Sequence, residues 1–109
     1  MLVDQQAKAQ LYAELRRVLK ECATFGYHPS YFRNDLANSD PEELWIRYTT
    51  NPPTEGYMRL VQERRLDLAV ENVVWHFREH FSPEIVKRAR QRLAEFGFDA
   101  LTQQHRSTS

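Results

Sequence analysis

Apolar residues recur every three or four positions over several stretches of the chain, which is the period of an amphipathic helix. The longest such stretch covers residues 4–25. Its apolar positions are Ala7, Leu11, Leu15, Val18, Leu19, Cys22 and Phe25. Charged residues such as Glu14, Arg17 and Lys20 fall between them. The pattern therefore predicts a long first helix that buries one face.

Glycine and proline indicate where the predicted helices begin and end. Gly26 and Gly97 each follow a helical stretch, and glycine adopts the left-handed conformation that ends a helix without a side-chain clash. Pro29, Pro41 and Pro83 stand at predicted first helical positions, where a missing N–H costs nothing. With a break at residues 51–53, these signals delimit further helices near 29–38, 41–49, 55–64, 68–79 and 83–96.

Polar residues just before four of these helices have the chemistry of N-caps. Thr54 and Ser82 each place a hydroxyl oxygen where it can accept a backbone N–H of the first turn. Asp40, which precedes Pro41, and Asp67 are predicted to cap the helices near 41–49 and 68–79 with their carboxylates in the same way. All four starts are therefore predicted to be capped by a side chain.

Together these elements predict an all-α fold. Residues 1–98 form a single helical domain, a compact bundle of five or six helices with short helices between two longer terminal ones. A β-strand over 68–75 is the alternative there, because valine favours strands, but Glu71 and Asn72 at its centre favour a helix. Residues 99–109 are polar and are predicted to be a frayed C-terminal tail.

Composition narrows the function classes. A chain of 109 residues suits one domain and leaves little room for a deep catalytic cleft. Lys plus Arg and Asp plus Glu both number 15, so the formal charge is zero. This balance argues against a strongly basic coat for nucleic acid, although it leaves room for a local basic patch.

Cysteine content and hydropathy bear on compartment and chemistry. The single cysteine, Cys22, excludes an intramolecular disulfide and a zinc site built on several cysteines. Because it falls on the apolar face of the first helix, we expect a buried small side chain rather than a reactive thiol. No signal peptide and no apolar run of about 18 residues is seen. We therefore expect a cytoplasmic protein without membrane contact.

Residues 76–80 read His-Phe-Arg-Glu-His and match H-x-x-E-H, in which two histidines one helical turn apart bind zinc. A catalytic zinc needs a third protein ligand. Two glutamates follow in the sequence. Glu84 lies in the first turn of the last helix, and Glu95 faces away from the apolar side of that helix. We therefore predict no metal, no cofactor and no catalytic residue. His76 and His80 are instead interpreted as a solvated pair, with incidental metal binding as the alternative.

Two basic clusters are candidates for nucleic-acid contact. They are Arg16, Arg17 and Lys20 on the first helix, and Lys87, Arg88, Arg90 and Arg92 on the last. If the two helices pack side by side, the clusters merge into a phosphate-binding surface. The alternative is an ordinary charged surface with acidic residues interspersed.

Candidates for protein contact come from an aromatic segment and one turn. Residues 27–48 are rich in aromatic side chains, which anchor interfaces and also fill small cores. Tyr31 and Tyr48 are predicted to face a partner, whereas Phe32 and Trp45 are predicted to lie in the core. Arg65 either pairs with a carboxylate to close the turn between two helices or faces the partner.

Three motifs resemble a group of small, all-helical, functionally uncharacterised bacterial proteins. They are Gly-Tyr-His-Pro-Ser-Tyr-Phe at 26–32, Arg-Leu-Asp-Leu-Ala-Val-Glu at 65–71, and Ala-Arg-Gln-Arg-Leu at 89–93. The resemblance covers residues 22–98 and implies a helical fold, but no activity or site residue. The chain departs from the pattern at His28, where the motif has Asn, and at 38–41, which replace a glycine-containing loop.

These features predict a non-catalytic helical module that binds a protein. The partner is either a second copy of the chain or a component of a larger bacterial or phage assembly. The alternative is a nucleic-acid-associated accessory protein, including a small inhibitor or subunit of a nucleic-acid-handling defence complex. No small-molecule substrate is inferred.

Overall fold

The computed structural model describes residues 5–28, 43, 47, 49 and 52–105, and this part of the chain is mostly helical. Its α-helices are α1 (Gln5–Ala23), α2 (Glu55–Glu63), α3 (Val70–His76) and α4 (Pro83–Glu95). Short 3-10 helices cover Leu66–Leu68 and Arg78–His80. Two short strands, β1 (Phe98–Asp99) and β2 (Gln104–His105), form an antiparallel pair.

The described part contains four α-helices, whereas five or six were predicted for the chain. The predicted helix near 29–38 and the predicted Asp40 cap lie outside the described residues. Of the helix predicted near 41–49, only Glu43, Arg47 and Thr49 are described, and all three are helical. The prediction of a mostly helical protein is confirmed, but the strand pair was not predicted.

Helices α1 and α4 follow the local signals in the sequence. Gly26 and Gly97 have φ values of 79° and 88° and follow the last turns of α1 and α4. At the start of α4, Pro83 is the first helical residue, and the Ser82 hydroxyl accepts the backbone N–H of Ile85 at 3.4 Å. These ends are set by contacts within one turn of the chain.

Helix α2 begins as predicted but ends without a glycine. The Thr54 hydroxyl accepts the backbone N–H of Tyr57 at 3.1 Å. At the other end Arg64 takes a left-handed conformation with φ of 57°. Its N–H donates to the Val61 carbonyl at 3.1 Å. A helix stop at arginine has no signal in the sequence, because a residue with a Cβ rarely adopts this conformation.

The α-helix predicted near 68–79 is present but shorter, at Val70–His76, and its predicted Asp67 cap is wrong. The segment is a 3-10 helix, then α3, then a second 3-10 helix, and the residue that precedes α3 is Ala69, which offers no side-chain cap. The Asp67 carboxylate instead accepts two hydrogen bonds from the Arg65 guanidinium, at 3.1 and 3.2 Å. This two-pronged pairing matches the geometry of guanidinium and carboxylate and takes both carboxylate oxygens.

The predicted frayed tail is also incorrect for residues 99–105. Phe98 pairs with His105 across the strands, and Phe98 and Ala100 are buried. The Gln103 side chain exchanges two hydrogen bonds with the buried Asn72 amide, at 2.8 and 2.9 Å. A polar segment is thus held because its polar groups find partners in the folded chain.

The core lies between α1, α3 and α4. Its fully buried members include Leu11, Leu15, Leu66, Leu68, Val74, Leu93 and Phe98. Helix α3 packs along α4, and α1 packs against α3 and the Leu66–Leu68 turn. Among the described helices, none combines the length and apolar character needed to cross a bilayer.

Candidate interaction surface around Trp75

The end of α3 and the outer side of α4 border an open groove of about 570 Å³, which we call the Trp75 groove. The residues that form it include Trp75, Arg78, Phe81, Val86, Lys87 and Arg90. Phe81 is buried and Val86 is half-buried, so they supply an apolar floor. Arg78, Lys87 and Arg90 are exposed and supply a cationic rim.

The position of Trp75 follows from the way α3 ends. Val73 and Val74 are buried in the core, and each further helical residue turns by about 100°. Trp75 therefore lies at the edge of the buried face, half-buried and packed against the core on one side. The helix stops one residue later, at His76, and the chain turns back into α4 beside the indole.

Two arginines lie over the Trp75 indole. The Arg78 guanidinium carbon is 4.3 Å from the ring centroid, and that of Arg90 is 5.8 Å away. Both lie within the range of cation–π attraction. Arg78 is further held because its Nη1 donates to the Trp75 carbonyl at 3.0 Å. The indole is therefore flanked by positive charge.

Among the described residues, no acidic side chain borders the cationic rim. Within the described ranges, neither Lys87 nor Arg90 forms a salt bridge to a carboxylate. A chain with zero formal charge thus carries a locally positive, partly apolar surface.

The structure divides the predicted basic cluster of α4. Lys87 and Arg90 line the Trp75 groove, and Arg88 is exposed outside it. Arg92 belongs to the interior instead, where its Nη1 lies 3.0 Å from the Glu71 carboxylate. The side chains of Arg92 and Glu71 are only 13% and 4% exposed. One run of basic residues therefore contains a structural cation and surface cations.

The basic cluster of α1 is not joined to that of α4. Arg17 pairs with Glu14 at 2.6 Å, the Arg16 guanidinium lies 6.0 Å from the Tyr12 ring centroid, and Lys20 is exposed. Helix α1 packs chiefly on α3 and the Leu66–Leu68 turn, whereas α4 packs chiefly on α3 and β1. The side-by-side packing that a merged phosphate-binding surface requires is not the arrangement of the described helices.

Of the predicted partner-binding residues, Tyr31 and Tyr48 lie outside the described residues. Arg65 closes the turn after α2, as one of the two interpretations of the sequence held. In addition to Asp67, it approaches Glu21 at 3.6 Å and the Phe25 ring centroid at 5.9 Å. Its guanidinium thus joins the end of α1 to the Leu66–Leu68 turn.

A second, smaller pocket of about 70 Å³, partly open to the surface, lies beside the Glu71–Arg92 pair. Its lining is mostly apolar and includes Leu19, Cys22 and Leu60. Burial raises the pKa of the Glu71 carboxyl, while its own backbone N–H and Arg92 oppose this shift. Small-molecule sites usually occupy about 300–1,000 Å³, so this space is too small for an ordinary substrate.

Cys22 and Tyr57, which line the same pocket, carry groups that could react if they ionised. Cys22 is 2% exposed, and burial raises the pKa of its thiol. Burial also raises the pKa of the Tyr57 hydroxyl, which donates to the Arg92 carbonyl at 3.2 Å. The expectation of a buried Cys22 is confirmed, and both groups are held in their neutral forms.

The His76 and His80 pair does not have the geometry of the zinc motif. That motif requires both histidines on one α-helix, but α3 ends at His76 and His80 lies in the following 3-10 helix. His76 Nε2 is 3.4 Å from the Asn72 amide nitrogen, and the His80 ring lies 6.5 Å from that of Phe77. In the described part of the chain, no three His, Cys, Asp or Glu residues are placed to share a metal ion.

No known protein family, curated protein or solved structure matches the chain. The resemblance to small helical bacterial proteins stays a prediction that depends on the three motifs alone.

Trp75 was missed by reasoning from the sequence, although it carries the candidate surface. It directly follows Val73 and Val74 in sequence, and the spacing of apolar residues alone does not single it out. The available signal was the pairing of Trp75 with Arg78 three positions later, since residues at this spacing are neighbours on a helical surface. Tryptophan and arginine together are also the residues most enriched in interface hot spots.

Proposed function

We propose that this protein is a non-catalytic interaction module that binds another protein through the Trp75 groove. The observation that supports it is a half-buried indole set between two arginines on an open, partly apolar surface. Interfaces derive most of their binding energy from a few such residues that a partner shields from water. The partner is a second copy of the chain or a component of a larger bacterial or phage assembly.

The competing proposal is a nucleic-acid-associated accessory protein, because cations beside an aromatic ring also suit a single strand. Two contacts favour a protein partner. Arg78 already lies over the indole and is held by the Trp75 carbonyl, so a stacking base would have to displace it. Arg92 is engaged by Glu71, which leaves fewer cations on α4 for phosphate contacts.

Photo-crosslinking in the native host tests the proposal. A photoreactive residue at Gln91, in the groove, is compared with one at Gln62, which is exposed on α2. We expect discrete adducts from position 91 that protease removes and nuclease does not, and that Trp75→Ala abolishes. An adduct of twice the 13.0 kDa chain mass would identify a second copy as the partner.

Two outcomes would reject a protein partner at this groove. Equal adducts from positions 62 and 91 would mean that the groove is not the binding surface. Adducts from position 91 that nuclease destroys would favour the nucleic-acid accessory instead.

A further inference from the structure

We propose that the Trp75 groove recognises an acidic segment of the partner that carries an apolar anchor side chain. This inference rests on the proposed function and adds the chemistry of the partner. Its first support is the charge of the groove. Arg78, Lys87 and Arg90 border it, and none of the described lining residues is acidic. A complementary partner must therefore bring carboxylates.

The floor of the groove calls for a second component. Phe81 is buried beneath the groove, and half-buried Val86 and Trp75 present apolar surface within it. Carboxylates alone would leave this surface exposed to water. Burying apolar area contributes roughly 25 cal/mol for each Å², so a segment that adds an aliphatic or aromatic side chain gains affinity. A purely acidic chain would not have this contribution.

The spacing of the cations defines how the acidic groups are arranged. Lys87 and Arg90 are three residues apart on α4, which places their Cβ atoms about 5–6 Å apart. Carboxylates one helical turn apart, or two residues apart in an extended chain, match this separation. Arg78 lies on a different element, the 3-10 helix after α3. It is held in place by the Trp75 carbonyl, so little side-chain freedom is lost when it binds a carboxylate.

Arg88 provides a matched control on the same helix. It is exposed, it lies between Lys87 and Arg90 in sequence, and it does not line the groove. Reversing its charge changes the net charge of the chain as much as reversing Arg90 does. A groove-specific effect and a general electrostatic effect can therefore be separated.

The experiment measures fluorescence anisotropy of labelled twelve-residue peptides with the full chain. The first peptide carries glutamates on either side of two leucines. In the second the leucines are serine, in the third the glutamates are glutamine, and a twelve-nucleotide oligo-dT is the fourth probe. We expect saturable binding of the first peptide and at least about tenfold weaker binding of the other probes, the scale of a few surface ion pairs or one buried side chain.

The variants locate the binding on the protein. Arg90→Glu should weaken binding of the first peptide at least about fivefold, whereas Arg88→Glu, which changes the net charge equally, should change it by no more than about twofold. Adding Lys87→Glu to Arg90→Glu should weaken binding further. Circular dichroism of each variant checks that the helices are intact. All three positions are exposed, so we expect unchanged spectra.

Each contrary result overturns the inference. Equal binding of the glutamine peptide would remove the acidic requirement, and equal binding of the serine peptide would remove the anchor. A loss of binding in Arg88→Glu as large as that in Arg90→Glu would make the effect non-specific. Tighter binding of oligo-dT would favour a nucleic acid. If no peptide binds while crosslinks from position 91 persist, the partner chemistry is wrong but the proposed function stands.

Discussion

Arg90 and Arg92 lie two residues apart on α4, and their side chains lie on opposite sides of the helix. Arg92 points to the interior, where its Nη1 lies 3.0 Å from the Glu71 carboxylate and its side chain is 13% exposed. Arg90 is exposed and lies 5.8 Å from the Trp75 ring centroid. Two steps of about 100° around a helix are enough to separate these environments. The role of each arginine is decided by the group that faces it in the fold.

The two sides also differ in what they contribute to stability. A buried ion pair leaves an uncompensated charge when one partner is removed, whereas an exposed cation stays hydrated. We therefore regard the Arg92 side of α4 as part of the folded core. The Arg90 side is an exposed surface.

The largest expected loss of stability follows from a substitution on the buried side of α4. Arg92→Ala should lower the free energy of unfolding by about 3–5 kcal/mol, because it leaves Glu71 buried without its partner. Arg90→Ala is the matched control and should cost no more than about 1 kcal/mol. Urea unfolding followed by circular dichroism measures both.

A double variant sharpens this result. Glu71→Met with Arg92→Met replaces the pair by apolar side chains and should recover most of the lost stability. If Arg92→Ala and Arg90→Ala cost the same, the contrast between the two sides of α4 does not hold.

A smaller loss is expected when the polar contacts of the core are removed at Asn72. This residue is 1% exposed, exchanges two hydrogen bonds with Gln103, and donates to the Asp67 carbonyl at 2.9 Å. Asn72→Ala should cost about 1–3 kcal/mol, because it leaves the partner groups unsatisfied. It should also release residues 98–105, which hydrogen exchange of the Gln103 and His105 amides would report. Unchanged exchange at these amides would show that Asn72 does not hold the strand pair.

The smallest expected effect is a pH-dependent change in the free energy of unfolding. It arises from His105, which lies on the inner side of the fold and not at the Trp75 groove. His105 Nε2 accepts the backbone N–H of Leu66 at 3.1 Å, so the bond requires a neutral ring. Burial, and then the charge of Arg64, lower the pKa of His105, although Asp67 opposes them. The stabilisation by this hydrogen bond is therefore fully present above the pKa of His105 in the unfolded chain, about 6.5. It is lost as the pH falls below that value and through the lower folded pKa, because the unfolded chain binds the proton more readily.

His105→Gln isolates this contribution, since glutamine offers an acceptor oxygen that does not titrate. Unfolding of both proteins between pH 8 and pH 5 should give a steeper loss of stability for the natural chain. NMR signals from the Trp75 groove should not follow that difference. Identical pH profiles of stability in the two proteins would show that titration of His105 does not affect the stability of the fold.

Contacts within one turn of the chain made much of the architecture predictable. Helices α1 and α4 were predicted from apolar spacing, and α2 from the break at 51–53 and the Thr54 cap. The ends of these helices follow Gly26, Thr54, Ser82 and Gly97. Cys22 was correctly placed in the core for the same reason. Such signals need no knowledge of the rest of the fold, because a cap bonds a backbone group three or four residues away.

The candidate surface and the strand pair depended instead on residues far apart in sequence. The surface joins Trp75 of α3 to Lys87 and Arg90 of α4. Gln103, between the two strands, is hydrogen bonded to Asn72, 31 residues away. Arg92 looked like its basic neighbours until Glu71, 21 residues away, was placed beside it.

What the sequence determined by itself was the helical character of the chain and most helix boundaries. Only the tertiary structure decided which charges are paired, that Gln103 is hydrogen bonded to Asn72, and that Trp75 lies at a groove. The physical reason is that a side chain's partner and its burial depend on which distant segments pack against it. Periodicity along the chain carries no such information.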